Sequence, residues 1–295
     1  MKEMDNNLDA EVRLWQEKLF SRSIRRDHKL KRISGLIGSA TNLQCLDIST
    51  GDGIISSHLR SLGGSWKTMV TTKDAAVSIN YSLGEAIAVI ENGKLPFEDH
   101  SFDRLVIVDT LKEFTDDYEF LHECHRVLKN DGWVIISEER RAPLGPVALL
   151  QRTFGLLPSS NEKNCRNGYK VHELFETLKD GFDVPETIVY SNVLLEFFAT
   201  FGEVVQRMVT GGPCWLVREK AGQKELYNYR QIYGLASFAF PLMWLLSLLE
   251  FLPGQKLLIK SRRRLWRPRL QPKLIDGRSI AEAAINTKIG TAAPF

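Results

Sequence analysis

The chain lacks the features that announce several common protein classes. Four cysteines in 295 residues (Cys45, Cys124, Cys165 and Cys214), none in a CxxC spacing, exclude a disulfide scaffold and read as reduced cytosolic thiols. The opening stretch MKEMDNNLDAEV has no apolar core, which excludes a secretory signal there and predicts a cytoplasmic protein. No GKS or GKT lysine follows the one glycine-bearing loop of interest, so a P-loop is excluded. His122-Glu123-Cys124-His125 is not HExxH, and no metal is expected. There is no internal repeat and no low-complexity tract.

What the sequence does contain is ordinary in amount and uneven in place. Hydrophobic residues make up 43% and charged ones 25%, which excludes wholesale disorder and leaves room for one large α/β domain or two small ones. The net charge of +3 is distributed as +5 over residues 22–32, +8 over residues 256–278 and −10 over the rest. Such asymmetry points to an anionic partner, a membrane leaflet or a nucleic acid, unless both clusters are simply solvated faces.

From Leu8 to Gly38 the spacing of Val12, Trp15, Leu19, Ile33 and Ile37 predicts one or two amphipathic helices that cover the next unit. Short apolar runs then alternate with helical patterns. Strands are expected at 43–48, 66–71, 86–90, 104–108 and 133–137, with helices at 54–62 and 116–128. Residues 142–168, rich in Pro, Gly, Ser and Asn, read as a lid or connector. A helix over 171–178, a sixth strand over 184–190, apolar helical segments over 193–208 and 229–252, and a seventh strand over 255–260 complete the pattern. The division that follows is 1–38 helical cover, 39–192 core, 193–254 apolar helical insertion, 255–264 closing strand and 265–295 basic tail. The fold class is α/β, a doubly wound and mostly parallel seven-stranded sheet.

The chemistry-bearing piece is Leu46-Asp47-Ile48-Ser49-Thr50-Gly51-Asp52-Gly53, a strand running into a glycine-bearing turn and a helix, where backbone can approach a ligand closely. Downstream stand Leu95-Pro96-Phe97, then Ser101-Phe102-Asp103, and Leu128-Lys129-Asn130-Asp131-Gly132 before the fifth strand. In this order and spacing, over residues 40–140, the chain resembles the class I S-adenosylmethionine-dependent methyltransferases, in particular their type 11 group. The resemblance implies a Rossmann-like fold and S-adenosyl-L-methionine as cofactor. It implies that Asp47, Ser49, Gly51 and Gly53 receive the amino-acid end, Glu91 the adenine amino group, and that Asp109 faces the same crevice. Thr71 stands where the family usually has an acid that grips both ribose hydroxyls. Losing a charged bidentate contact there costs roughly 1.5–3 kcal/mol. Ser49 in place of the first loop glycine is the milder departure. Tyr169 and His172 are the candidates for a general base on the acceptor side.

Ile232–Leu252 holds 21 residues with Glu250 as its single charge, long enough to span a bilayer. Pro241, Glu250 and the basic run that follows argue against a span, because the cofactor domain before it and the basic run after it both belong inside. The layout resembles glycan- and glycolipid-directed bacterial members. It predicts peripheral membrane contact through residues 232–269, with Trp244, Trp266 and Arg262–Arg264 as interfacial anchors. The expected activity is methyl transfer to an amphiphilic small molecule, a lipid-linked glycan or a quinone-like ring. The alternatives are a degenerate methyltransferase fold kept as a scaffold and, last, an RNA methyltransferase, since no aromatic-interleaved basic motif supports a nucleic-acid partner.

Overall fold

The computed structural model describes residues 2–141, 149, 153, 168–210, 223–249 and 251–267. Seven strands form one sheet: β1 Gln44–Ser49, β2 Ser65–Val70, β3 Ala88–Val89, β4 Phe102–Val108, β5 Leu128–Glu139, β6 Phe182–Asn192 and β7 Gly254–Arg263. Their spatial order is β3-β2-β1-β4-β5-β7-β6. The first five run parallel, whereas β7 lies antiparallel between β5 and β6. The expected doubly wound, mostly parallel seven-stranded sheet is the one observed.

Successive side chains of the central strands point to opposite faces, and each face meets helices. Leu46, Ile48, Leu105, Ile107, Ile136, Leu257 and Ile259 enter one core; Cys45, Val106, Val108, Ile135 and Leu258 enter the other. The first is closed by α5 (Asp117–Val127) and α6 (Val171–Leu178), the second by α2 (Ile24–Ile37) and α3 (Ile54–Ser61). The chain leaves β1 toward β2 and β3 and then returns to β4 on the opposite side. The topological switch therefore falls between β1 and β4, where such sheets open a crevice at the carboxyl ends of their strands.

One helix was not legible beforehand. Residues 72–84 have a weak apolar period, yet α4 (Lys73–Leu83) forms between two good terminal signals. Thr72 accepts from the Ala75 N–H at 3.3 Å, and Gly84 takes the left-handed conformation after the last turn. β3 is shorter than expected, only Ala88 and Val89 pairing with Met69 and Val70. The connector expected at 142–168 lies almost wholly outside the described residues, as does the basic tail beyond Arg267.

The N-terminal helices and the segment between β6 and β7 pack together. α1 (Lys2–Ser21) runs along α8 (Gln223–Ser247), with Trp15 edge-on to Tyr233 at 5.5 Å and Gln16 within 3.4 Å of the Tyr229 hydroxyl. α7 (Val193–Thr210) completes this cap. No helix among the described residues is long and apolar enough to cross a membrane, and Pro241 lies inside α8.

Among the described residues, several cations of both basic clusters have partners within the molecule. Arg22 lies over Tyr233 and Phe240, Arg25 binds Glu196 and Glu203, Arg26 binds Asp52, and Lys29 binds Asp109. Lys256 is buried on Glu139, Arg262 binds Asp131, and Arg264 binds Asp183. These partners lie far away in sequence, which is why a local charge count does not find them. Trp266, expected at an interface, instead packs among Tyr118, His122, His125 and Phe182. A Cβ on Gly181 would fall 2.1 Å from its ring, so only glycine fits beside it.

Candidate cofactor crevice

Three chain segments meet at the switch point. The first is the turn after β1. Asp47 is wholly buried, and its Oδ2 accepts from the hydroxyls of Ser49 and Thr68, each at 3.3 Å. Burial pushes its carboxyl up to about 6, against the opposing pull of the Ser56, Ser49 and Thr68 hydroxyls and Arg60. Ser49 also lies 2.9 Å from the Ser56 hydroxyl, so the residue that replaces a glycine is absorbed into a polar contact at the start of α3. Gly53, at φ +77, is wedged against α4: a Cβ there would come within 2.9 Å of Ser82 Cβ. Gly51, at φ +103, faces open space, with nothing within 4 Å of where its Cβ would be.

The second segment follows β4. Asp109 adopts φ +57, an uncommon conformation for a non-glycine residue, held by its N–H donating to Ser137 O at 2.8 Å. Its Oδ2 accepts from Lys29 on α2. Burial opposes its charge, but Lys29, Lys256 and Lys112 outweigh that and hold the carboxyl below its usual range. Arg26, one turn earlier on α2, grips both oxygens of Asp52 at 2.6 and 2.7 Å. α2 is thus tied to the loops on both sides of the switch point.

Behind Asp109, the end of β5 carries two carboxyls of opposite character. Glu138 is wholly buried, and one oxygen accepts the Leu111 N–H at 2.7 Å; burial pushes it up to about 8. Glu139 is held well below its usual range by Lys256 at 2.7 Å and Lys112 at 3.4 Å. Lys256 also faces Glu196 of α7 at 4.0 Å, and Arg25 of α2 joins Glu196 to Glu203. A ladder of alternating charges therefore runs from the crevice into the cap.

The third segment lies at the ends of β2 and β3, where a cavity of about 560 Å³ opens between Thr71, Ile90, Asn92, Glu113 and Phe114. Thr71 donates to Glu113, whose carboxyl is raised by burial. Glu91 is exposed in a turn whose carbonyl accepts the Lys94 N–H at 3.0 Å; its neighbours Ile90 and Asn92 form the cavity wall.

The structure thus brings Asp47, Ser49, Gly51, Gly53, Thr71 and Asp109 to one end of the sheet. Tyr169 is a correction. Its ring belongs to the core and its hydroxyl donates to Asp117 at 3.0 Å, so burial and that bond make it a packing residue rather than a base. His172 is exposed in the first turn of α6. No role in the site was assigned from the sequence to Glu113, which stands in the stretch Leu111-Lys112-Glu113-Phe114 after the fourth strand, to Glu138 or to Lys29. The local signals were Lys112-Glu113, starting four residues after the fourth strand, and Glu138-Glu139 closing the fifth.

S-adenosylmethionine brings an ammonium-carboxylate end, a ribose diol and an adenine, and the residues fit these groups. Among the described residues Asp47 Oδ1 and Asp109 Oδ1 are buried acceptors without a partner. Open space at Gly51 and the cavity by Thr71 provide room on either side.

Comparison with known proteins agrees. Residues 46–136 match the family model for a methyltransferase domain. The ubiquinone/menaquinone biosynthesis C-methyltransferase UbiE of Coxiella burnetii is 26% identical over 151 residues, 47% of this chain and 60% of that protein. The demethylmenaquinone methyltransferase of Thermotoga maritima is 29% identical over 117 residues, 37% of this chain and 48% of that protein. Of solved structures, the [4+2]-cyclase SpnF superposes with a TM-score of 0.51 at 14% identity, covering 80% of this chain and 81% of that one. The fold and crevice define a class I methyltransferase domain. Residues 46–136 match a methyltransferase domain, and S-adenosyl-L-methionine is the cofactor that this match and the crevice support. The chain spans 60% of the length of the first of these relatives.

Proposed function

We propose that the protein methylates an amphiphilic acceptor, a quinone-like ring before a lipid-linked glycan, at the cytosolic face of a membrane. The observation that carries methyl transfer is the crevice at the switch point, where the two buried orphan acceptors flank the open turn at Gly51. The likeness to a cyclase shows that the fold alone does not fix the reaction, so the reading leans on the motif match over residues 46–136. The names of the relatives favour the quinone-like ring.

S-adenosylmethionine supplies an electrophilic methyl group on a sulfonium. The protein's part is to fix donor and acceptor in line, which is worth several powers of ten in rate. Asp47 and the Gly51 backbone would hold the amino-acid end, while Thr71, Ile90, Asn92 and Phe114 would line the place of the adenosine. Asp109, held ionised by Lys29, Lys256 and Lys112 and with Oδ1 free of a partner among the described residues, would face the cofactor from the other side of the turn. α2 fixes both loops of the crevice through Arg26 on Asp52 and Lys29 on Asp109.

Membrane contact is proposed through the outer face of α8 and the turn after it, where Phe238, Trp244, Leu245, Leu248 and Phe251 are all more than half exposed. Titration calorimetry with S-adenosylhomocysteine, followed by transfer of labelled methyl to a demethylated quinol, tests the activity. No binding at millimolar ligand sinks it. Binding without transfer to quinols or to glycolipids would favour the scaffold alternative.

A further inference from the structure

We propose that Glu113 is the carboxylate that binds the ribose diol of the cofactor, taking over from the end of β2 a task that no acid there can perform. The proposal rests on the reading of the crevice as an S-adenosylmethionine site. A vicinal diol presents two O–H donors, and a carboxylate accepts both at once; dinucleotide-binding sheets place an acid at the end of the second strand for this purpose. Here β2 runs out into Thr71, Thr72 and Lys73, and Asp74 is exposed in the first turn of α4. The hydroxyl at Thr71 offers a single neutral oxygen, a weaker acceptor for two O–H groups than a carboxylate.

The missing charge arrives from the other side of the switch point. Glu113 closes the short 3₁₀ turn Leu111–Glu113 after β4, and its carboxylate rests on the Thr71 hydroxyl inside the 560 Å³ cavity. Three further carboxyls line that cavity, and none stands at the end of β2. Asp116 caps α5 by accepting from the Glu119 N–H at 2.9 Å, and Glu119 is exposed on that helix. Glu123 is engaged by Arg126 and by the Leu95 N–H.

The turn that carries Glu113 is fixed on both sides. Leu111 is buried and donates its N–H to Glu138, the Glu113 N–H donates to Thr110 O at 3.0 Å, and the Thr110 hydroxyl donates to Ile48 O at 3.3 Å. The carboxylate is thus tied through backbone and side chain to the ends of β1 and β5, with little freedom to lose on binding. Partial burial with one hydroxyl donor leaves it short of hydrogen bonds, which two ribose hydroxyls supply.

The test is titration calorimetry of wild type and Glu113→Gln with S-adenosylhomocysteine and with its 2′,3′-dideoxyribose analogue. The expected result is a 10- to 100-fold loss of affinity for S-adenosylhomocysteine in the variant and equal affinity of both proteins for the dideoxy analogue. If Glu113→Gln binds S-adenosylhomocysteine as wild type does, the proposal is overturned while the cofactor reading stands. An equal loss for both ligands also overturns it, because it assigns Glu113 to folding of the site rather than to the diol. Wild type failing to bind S-adenosylhomocysteine at millimolar concentration overturns the cofactor reading and Glu113's role together.

Discussion

Among the described residues Glu138 is a buried acid without a cation bonded to it, and its titration should be visible in the stability of the whole chain. Its folded-state value near 8 lies above the ordinary 4.5, so the folded protein retains a proton that the unfolded chain releases. The resulting stabilisation is complete below pH 4.5 and is lost as pH rises through about 8. Glu138→Gln keeps the acceptor for the Leu111 N–H and removes the titration. The variant should therefore melt at a more constant temperature between pH 5 and 9, with the difference from wild type growing on the alkaline side. A wild-type melting curve that is flat across this range would contradict the assignment. Lys256 presents the opposite case, a buried cation shared by Glu139 and Glu196. Lys256→Met leaves Glu139 with Lys112 and Glu196 with Arg25 as remaining partners, and should cost about 1.5–3 kcal/mol, read from the urea midpoint at pH 7.

At the level of elements, the helices of the cap separate burial from exposure cleanly enough to test. Leu245, Leu248 and Phe251 are 58, 57 and 82% exposed, so replacing all three by Ser should change stability by less than about 1 kcal/mol. The same variant should lose sedimentation with anionic vesicles if this face meets lipid. Unfolding of the variant would instead show that the face is covered in solution. Much of this architecture was legible in advance because each strand is a short apolar run with a turn signal behind it, and because three spaced motifs mark the first, fourth and fifth strands. What stayed hidden depended on pairs distant in the chain. Arg26 and Lys29 read as a solvated basic stretch, yet they reach Asp52 and Asp109, and Trp266 read as an anchor while its ring fills a gap left by Gly181. The role of Glu113 was invisible for a related reason. A single acid in a three-residue turn has no period, and its importance appears only when Thr71, 42 positions earlier, is seen beside it.

For the molecule as a whole, the position of β7 governs how the chain can be made. This strand enters between β5 and β6, both of which precede it in sequence. During synthesis the parallel half of the sheet can assemble once β5 has emerged, but β5 then presents an open edge and β6 has no neighbour. Both edges carry backbone groups that pair only when β7 arrives, Trp133–Glu139 on one side and Phe182–Asn192 on the other. The cap cannot settle earlier either, since Lys256 of β7 joins Glu139 of the sheet to Glu196 of α7. A chain released at residue 253 should therefore collect in the insoluble fraction, whereas one released after residue 267 should retain the cooperative melt of the longer protein. The closing strand sets a waiting time: until it leaves the ribosome, the cofactor domain is a half-built sheet with a sticky border, a client for chaperones, and a translational pause upstream of residue 254 would prolong that exposure.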